Sequence, residues 1–118
     1  MRINELNDFV IFLRLDELAK RHKIKLTFAQ KKLYIDFVRF CEKKGQYNED
    51  KGQYYHSLTV SEMAREFAAG HTTVTGALKA LSDCGAINRV KSPAVKSNEA
   101  GGVITNINVD FLSDFKTC

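Results

Sequence analysis

Up to Cys84, apolar side chains return every three or four residues. After Gly85 they return every second residue, so the chain is expected to be helical first and extended last. From Asn4 to about His22, Leu6, Phe9, Val10, Leu13 and Leu18 keep helical spacing. Phe12 and Leu15 widen that stripe beyond one face. The run FVIFLRL also fits a buried strand, but DELAK continues it in helix-forming residues, which favours a helix. Its surplus apolar width calls for a second surface, such as a partner subunit.

A second helix is expected to start at Thr27, with Gln30 three residues later completing a capping box, and to end at Lys44 before Gly45. Leu33, Phe37, Phe40 and Cys41 form its stripe, and Tyr34, Ile35 and Val38 cover the neighbouring arc. A helix apolar over so much of its girth belongs at the centre of a core. Residues 45–57 read as a polar connection, with a short strand from Tyr55 to Leu58. GQY occurs there twice, at Gly45 and Gly52, which reads as coincidence, since two copies of three residues make no structural repeat.

Thr59 and Glu62 form another capping box, with Leu58 and Met63 as its hydrophobic staple. Val60, Met63, Ala64 and Phe67 then give a short helix from about Val60 to Ala68. Val74, Ala77, Leu78 and Leu81 give the next, from about Thr72 to Cys84, stopped by Gly85. Strands follow at Ala86–Val90 and Val103–Val109, joined by KSPAVKSNEAGG into a hairpin with a long tip. DFLSDFKTC reads as a helical turn capped by Asp110. The fold class expected is α+β, mainly α, in one domain over 1–118: an N-terminal helix at 1–25 and a core at 26–118.

Charge sharpens this. The chain carries 18 Lys and Arg against 14 Asp and Glu, a net +4. The excess is concentrated from Lys20 to Lys44, where nine basic residues face only Asp36 and Glu42. Such clustering suits an acidic partner, nucleic acid above all, although a solvated helix face is the plainer alternative. Three cysteines without CxxC spacing argue against a disulfide framework or zinc site and fit a reducing cytoplasm. No apolar run is long enough for a membrane span. His22, His56 and His71 have no metal-ligand spacing, and no GxSxG, P-loop or GxGxxG motif occurs, so neither an enzyme nor a metal or cofactor is expected.

Two short helices joined by a tight turn, then a hairpin, is the order of a helix-turn-helix with a wing. The segments SEMAREF and TTVTGALKALSDCGAINRV resemble the winged helix-turn-helix DNA-binding domains of the MarR and GntR families. The small size is similar to TubR-type plasmid centromere binders. The resemblance covers under half of the chain, Leu58 to Val109. It implies double-stranded DNA as partner and a homodimer acting as a transcriptional repressor. Partition or replication, and a protein-interaction module, stand as alternatives, and no small-molecule effector is indicated.

On that reading Thr72, Thr73, Thr75, Gly76 and Lys79 face the major groove. The slim Gly76 lets the backbone approach the groove floor, His71 sits at the helix start near a phosphate, and Arg65, Arg89, Lys91 and Lys96 reach the DNA backbone. The GntR turn glycine aligns with Ala68 and its cap serine with Gly70, so the turn is expected to differ in shape or Thr72 to cap the helix. With no C-terminal helices to pair, the N-terminal helix is expected to dimerise.

Overall fold

A computed structural model describes residues 7–91 and 103–112. Over these residues, helices and short strands follow one another as α1 (Asp8–Arg21), α2 (Phe28–Lys44), β1 (Tyr47–Asn48), β2 (Gln53–His56), α3 (Val60–Glu66), α4 (His71–Asp83), β3 (Ile87–Lys91) and β4 (Val103–Ile107). The strands form one antiparallel sheet in the order β1-β2-β4-β3. The α+β, mainly helical expectation holds.

The helix starts are local chemistry. Thr27 and Gln30 make the reciprocal capping box of α2, and Thr59 and Glu62 that of α3. The helix ends share one geometry. The backbone N–H of Ile24, Gln46, Ala69 and Ala86 donates to the carbonyl five residues back, on Ala19, Cys41, Ala64 and Leu81. Each such bond needs a left-handed residue just before it. Glycine fills that place after α2 and α4 (Gly45 and Gly85), but Lys23 (φ 58°) and Ala68 (φ 52°) fill it after α1 and α3. The α3–α4 turn therefore takes the shape a glycine would give, without the glycine. Its other departure also resolves: Gly70 is the N-cap of α4 and Thr72 lies inside the helix, so Thr72 caps nothing.

The two GQY copies, one at the end of α2 and one between β1 and β2, share a local geometry. Gly45 and Gly52 are both left-handed, and each turns the chain into a strand. Tyr47 and Tyr54 are register partners across β1 and β2, their rings 4.9 Å apart. β2 also ends at His56, two residues before the end of the strand expected there, because Leu58 precedes the α3 cap.

The core forms where α2 meets everything else. Ile11, Leu15 and Leu18 reach it from α1, Met63 from α3, Val74, Ala77, Leu78 and Leu81 from α4, and Ile87 and Ile107 from the sheet. The ion pairs Asp8–Arg39 and Asp16–Lys31 show that α1 and α2 run antiparallel. Tyr34 Oη donates to the Asn108 carbonyl (2.6 Å), joining α2 to the end of β4. Phe37 packs edge-on against His56 (4.9 Å) and Phe67 (5.4 Å).

His56 is fully buried. Its Nδ1 accepts the Leu58 N–H, which fixes a neutral ring, while Nε2 has no partner among the described residues. Burial first, and the Arg89 charge second, push its pKa down to about 4. The unfolded chain protonates this ring near pH 6.5, so between those values it binds more protons than the folded one. Stability should therefore fall as pH drops from 6.5 towards 4, by about 3 kcal/mol at full extent. Urea unfolding across this range tests it: His56→Gln should flatten the slope, and an equal slope in both proteins would refute the assignment to His56.

Candidate nucleic-acid interface

The apolar stripe of α4 is consumed by the core, which decides what the helix can present. Val74, Ala77, Leu78 and Leu81 are buried, leaving His71, Thr72, Thr75, Lys79 and Ser82 exposed along one ridge. The first-turn N–H groups of α4 have no side-chain cap, because Gly70 offers none. They leave the positive end of the helix dipole open to an anion.

Two side chains on the ridge, Thr75 and Lys79, are already engaged. Thr75 Oγ1 donates back into its own helix, within 3.0 Å of the His71 carbonyl and 3.1 Å of the Thr72 carbonyl. Its one hydroxyl proton is thus committed, and Thr75 offers an acceptor oxygen and a methyl group instead. Lys79, with 80% of its side chain exposed, pairs with Asp83 one turn on (3.1 Å). An exposed pair at this spacing contributes about 0.3–0.5 kcal/mol, so Lys79 is readily released to another anion.

Beside the ridge lies a shallow cleft of about 300 Å³, lined by Val60, Thr75, Leu78, Lys79, Ser82 and Arg89. Arg89 is half-buried, and its Nε donates to Thr105 Oγ1 (3.2 Å). The register places His56, Thr105 and Arg89 in one row across β2, β4 and β3. Burial pulls the Arg89 pKa down, and no acidic group among the described residues compensates its charge. An anion entering the cleft would meet two cations, Arg89 at its wall and Lys79 at its rim. Ser82 was legible as the next position on the ridge after Thr75 and Lys79. Thr105 was not, because its role depends on strand register.

The remaining predicted residues scatter. Arg65 is exposed in the last turn of α3. Lys91 pairs with Val103 at the outer end of the β3–β4 ladder. Lys96 lies outside the described residues. Thr73 is half-buried on the flank of α4, and so is Gly76.

Gly76, expected to face the groove, is half-buried on the flank of α4. A β-carbon there would stand 3.7 Å from Gln30 Nε2, so the slim flank of α4 faces the first turn of α2. The other end of that amide, Oε1, accepts the Thr27 N–H in the α2 capping box. The 3.7 Å separation is ordinary van der Waals distance and admits a methyl group. Gly76→Ala should therefore raise stability by up to about 1 kcal/mol, whereas Gly76→Leu should displace Gln30 and, by breaking the cap, cost about 1 kcal/mol. Thermal denaturation of both variants decides this, and a Gly76→Leu protein as stable as wild type would show the seam to be open.

No family model matches the sequence, and no curated protein matches it. Two solved structures are similar in fold. One is described as the structure of a Rep–DNA complex, with TM-score 0.54 and 19% identity, covering 70% of this chain and 62% of that one. This chain thus spans less than two thirds of that protein's length. The other is the N-terminal domain of a DNA binding protein, with TM-score 0.54 and 16% identity, covering 79% of this chain and 72% of that one.

Proposed function

We propose that this chain is a winged helix-turn-helix protein that binds double-stranded DNA as a homodimer and represses transcription by occupying an operator. The observation that carries the reading is the α4 ridge of His71, Thr72, Thr75, Lys79 and Ser82, set beside a hairpin whose Arg89 has no acidic partner among the described residues. The two solved structures of similar fold, both described through DNA, support it. In this reading α3 and α4 are the helix pair, β3 and β4 the wing, and α4 enters the major groove with its N-terminal half leading. Thr72 and Thr75 meet base edges or thymine methyls, Lys79 leaves Asp83 for a guanine or a phosphate, and Arg89 and Lys91 hold the flanking backbone. The chain works by binding, not catalysis.

Titration of a DNA duplex at rising salt tests the reading, since each phosphate neutralised adds about 0.9 to the salt slope of log K. A steep loss of affinity supports DNA binding, and salt-indifferent or absent binding overturns it. Lys79→Ala should cost about 1–3 kcal/mol on a selected site if Lys79 reads a base edge. Uniform weakening on every sequence would make it a phosphate ligand instead. A role in replication or partition is the second reading, favoured by the likeness to the Rep–DNA complex. Footprints repeated across iterated sites would favour it over a single operator.

The surface proposed for the dimer is the outer face of α1. Phe9 (68% exposed) and Leu13 (44%) stand one turn apart, and Phe28 (69%) continues the patch through its stack on Phe12. Apart from the Phe12 stack on Phe28, these side chains stay largely open to solvent among the described residues. Sedimentation at micromolar concentration should show a dimer that Phe9→Glu/Leu13→Glu converts to a monomer. A monomeric wild-type chain would remove α1 as an interface.

A further inference from the structure

We infer that the α1–α2 turn is a second phosphate-binding surface, one that grips the DNA backbone beyond the groove occupied by α4. The inference rests on the DNA-binding reading and extends it to residues outside the helix pair and the hairpin.

The basic excess from Lys20 to Lys44 divides once its partners are known. Lys31 pairs with Asp16, Lys32 with Asp36, and Arg39 with Asp8 and Glu42. Lys20, Arg21, Lys23 and Lys25 are all exposed and have no acidic partner among the described residues. Four uncompensated cations thus fall within six residues of the turn. The antiparallel run of α1 and α2 brings the last turn of α1 to the same end as the first turn of α2. At that end the first turn of α2 meets α4, where a β-carbon on Gly76 would stand 3.7 Å from Gln30 Nε2, so the turn lies at the end of the helix pair that adjoins α4. The wing lies elsewhere on α4, beside Thr75, Lys79 and Ser82. A duplex seated on α4 would therefore have Arg89 against one stretch of backbone and the turn against another.

Lys23 makes the idea testable without disturbing the fold. It holds the left-handed conformation that glycine takes after α2 and α4, so removing its side chain relieves strain. Lys23→Gly should melt at or above the wild-type temperature. Any weakening of binding is then not a failure of folding.

The full chain is titrated with a mixed-sequence DNA duplex over a range of salt. Lys23→Gly/Lys25→Gln is compared with Lys43→Gln/Lys44→Gln, which removes the same charge from the far end of α2, about 25 Å away along the helix. The turn pair should bind several-fold more weakly, with a salt slope reduced by about 0.9 for each phosphate no longer neutralised, and the control pair should keep the wild-type slope. Equal slopes in the two double variants would reduce the effect to net charge and overturn the inference. So would binding of the wild type to anionic vesicles that the turn pair loses while its DNA slope stays unchanged. Failure of the wild type to bind DNA would instead overturn the function proposed above, a result separable from the others.

Discussion

Six side chains of α2, Leu33, Tyr34, Ile35, Phe37, Val38 and Cys41, are buried, and they point to more than one side of the helix. At roughly 1.5–3 kcal/mol for each large side chain withdrawn from water, their burial contributes on the order of 10 kcal/mol or somewhat more before allowing for residual burial in the unfolded chain. The polar bonds follow the same helix: Tyr34 to the Asn108 carbonyl, and Cys41 Sγ to the Tyr55 carbonyl. Burial raises the pKa of both groups, that of Cys41 to about 12, so neither ionises at neutral pH. Since α4 has one apolar stripe and α2 is what it can bury it against, the outward ridge of α4 is determined by what α2 takes inward. The position of Arg89 follows from the same constraint, through Ile87 and Ile107 on the helix-facing side of the sheet.

What could be read from the sequence was mostly local. Both capping boxes formed as spelled, because each is closed by residues three apart. The stripes of α2 and α4 were legible, since one helix period decides which side chains meet the core. The alternation from Val103 to Ile107 likewise gave a strand. Elements that depend on distant partners were not legible. β1 is two residues long and exists because Tyr47 finds Tyr54, so the repeated GQY could be noticed but not interpreted. The turn at Ala68 shows the reverse case: the expected glycine is missing, yet the Ala69–Ala64 bond and the packing of α3 on α4 hold the left-handed residue in place.

The candidate site was legible in the same uneven way. Sequence spacing put Thr72, Thr75 and Lys79 on one outward ridge, and they lie there. It could not divide the rest of the outward arc into a face open to a ligand and a flank closed by a neighbour. Gly76 belongs to the flank because Gln30, 46 positions away in the chain, reaches it. Arg89 was visible as a basic residue of the hairpin. Its support by Thr105 and its place in the row with His56 come from sheet register, which no local pattern encodes.

The partners of the basic residues divide the labour within the proposed interface. Lys79 spends the free state on Asp83, and Thr75 bonds its own helix, so the α4 ridge presents little uncompensated charge of its own. That suits a surface that discriminates by fit, because a ridge with weak long-range attraction gains little from the wrong sequence. Unpaired charge sits instead at Arg89 and at the α1–α2 turn, to the sides of the ridge. Backbone attraction there is the same for every sequence. In the proposed interface, separating the two would keep non-specific affinity from masking discrimination. Asp83 would add to the effect: the pair itself is weak, but once Lys79 leaves it the exposed carboxylate repels a phosphate nearby, which favours a base-edge acceptor for Lys79 over the backbone.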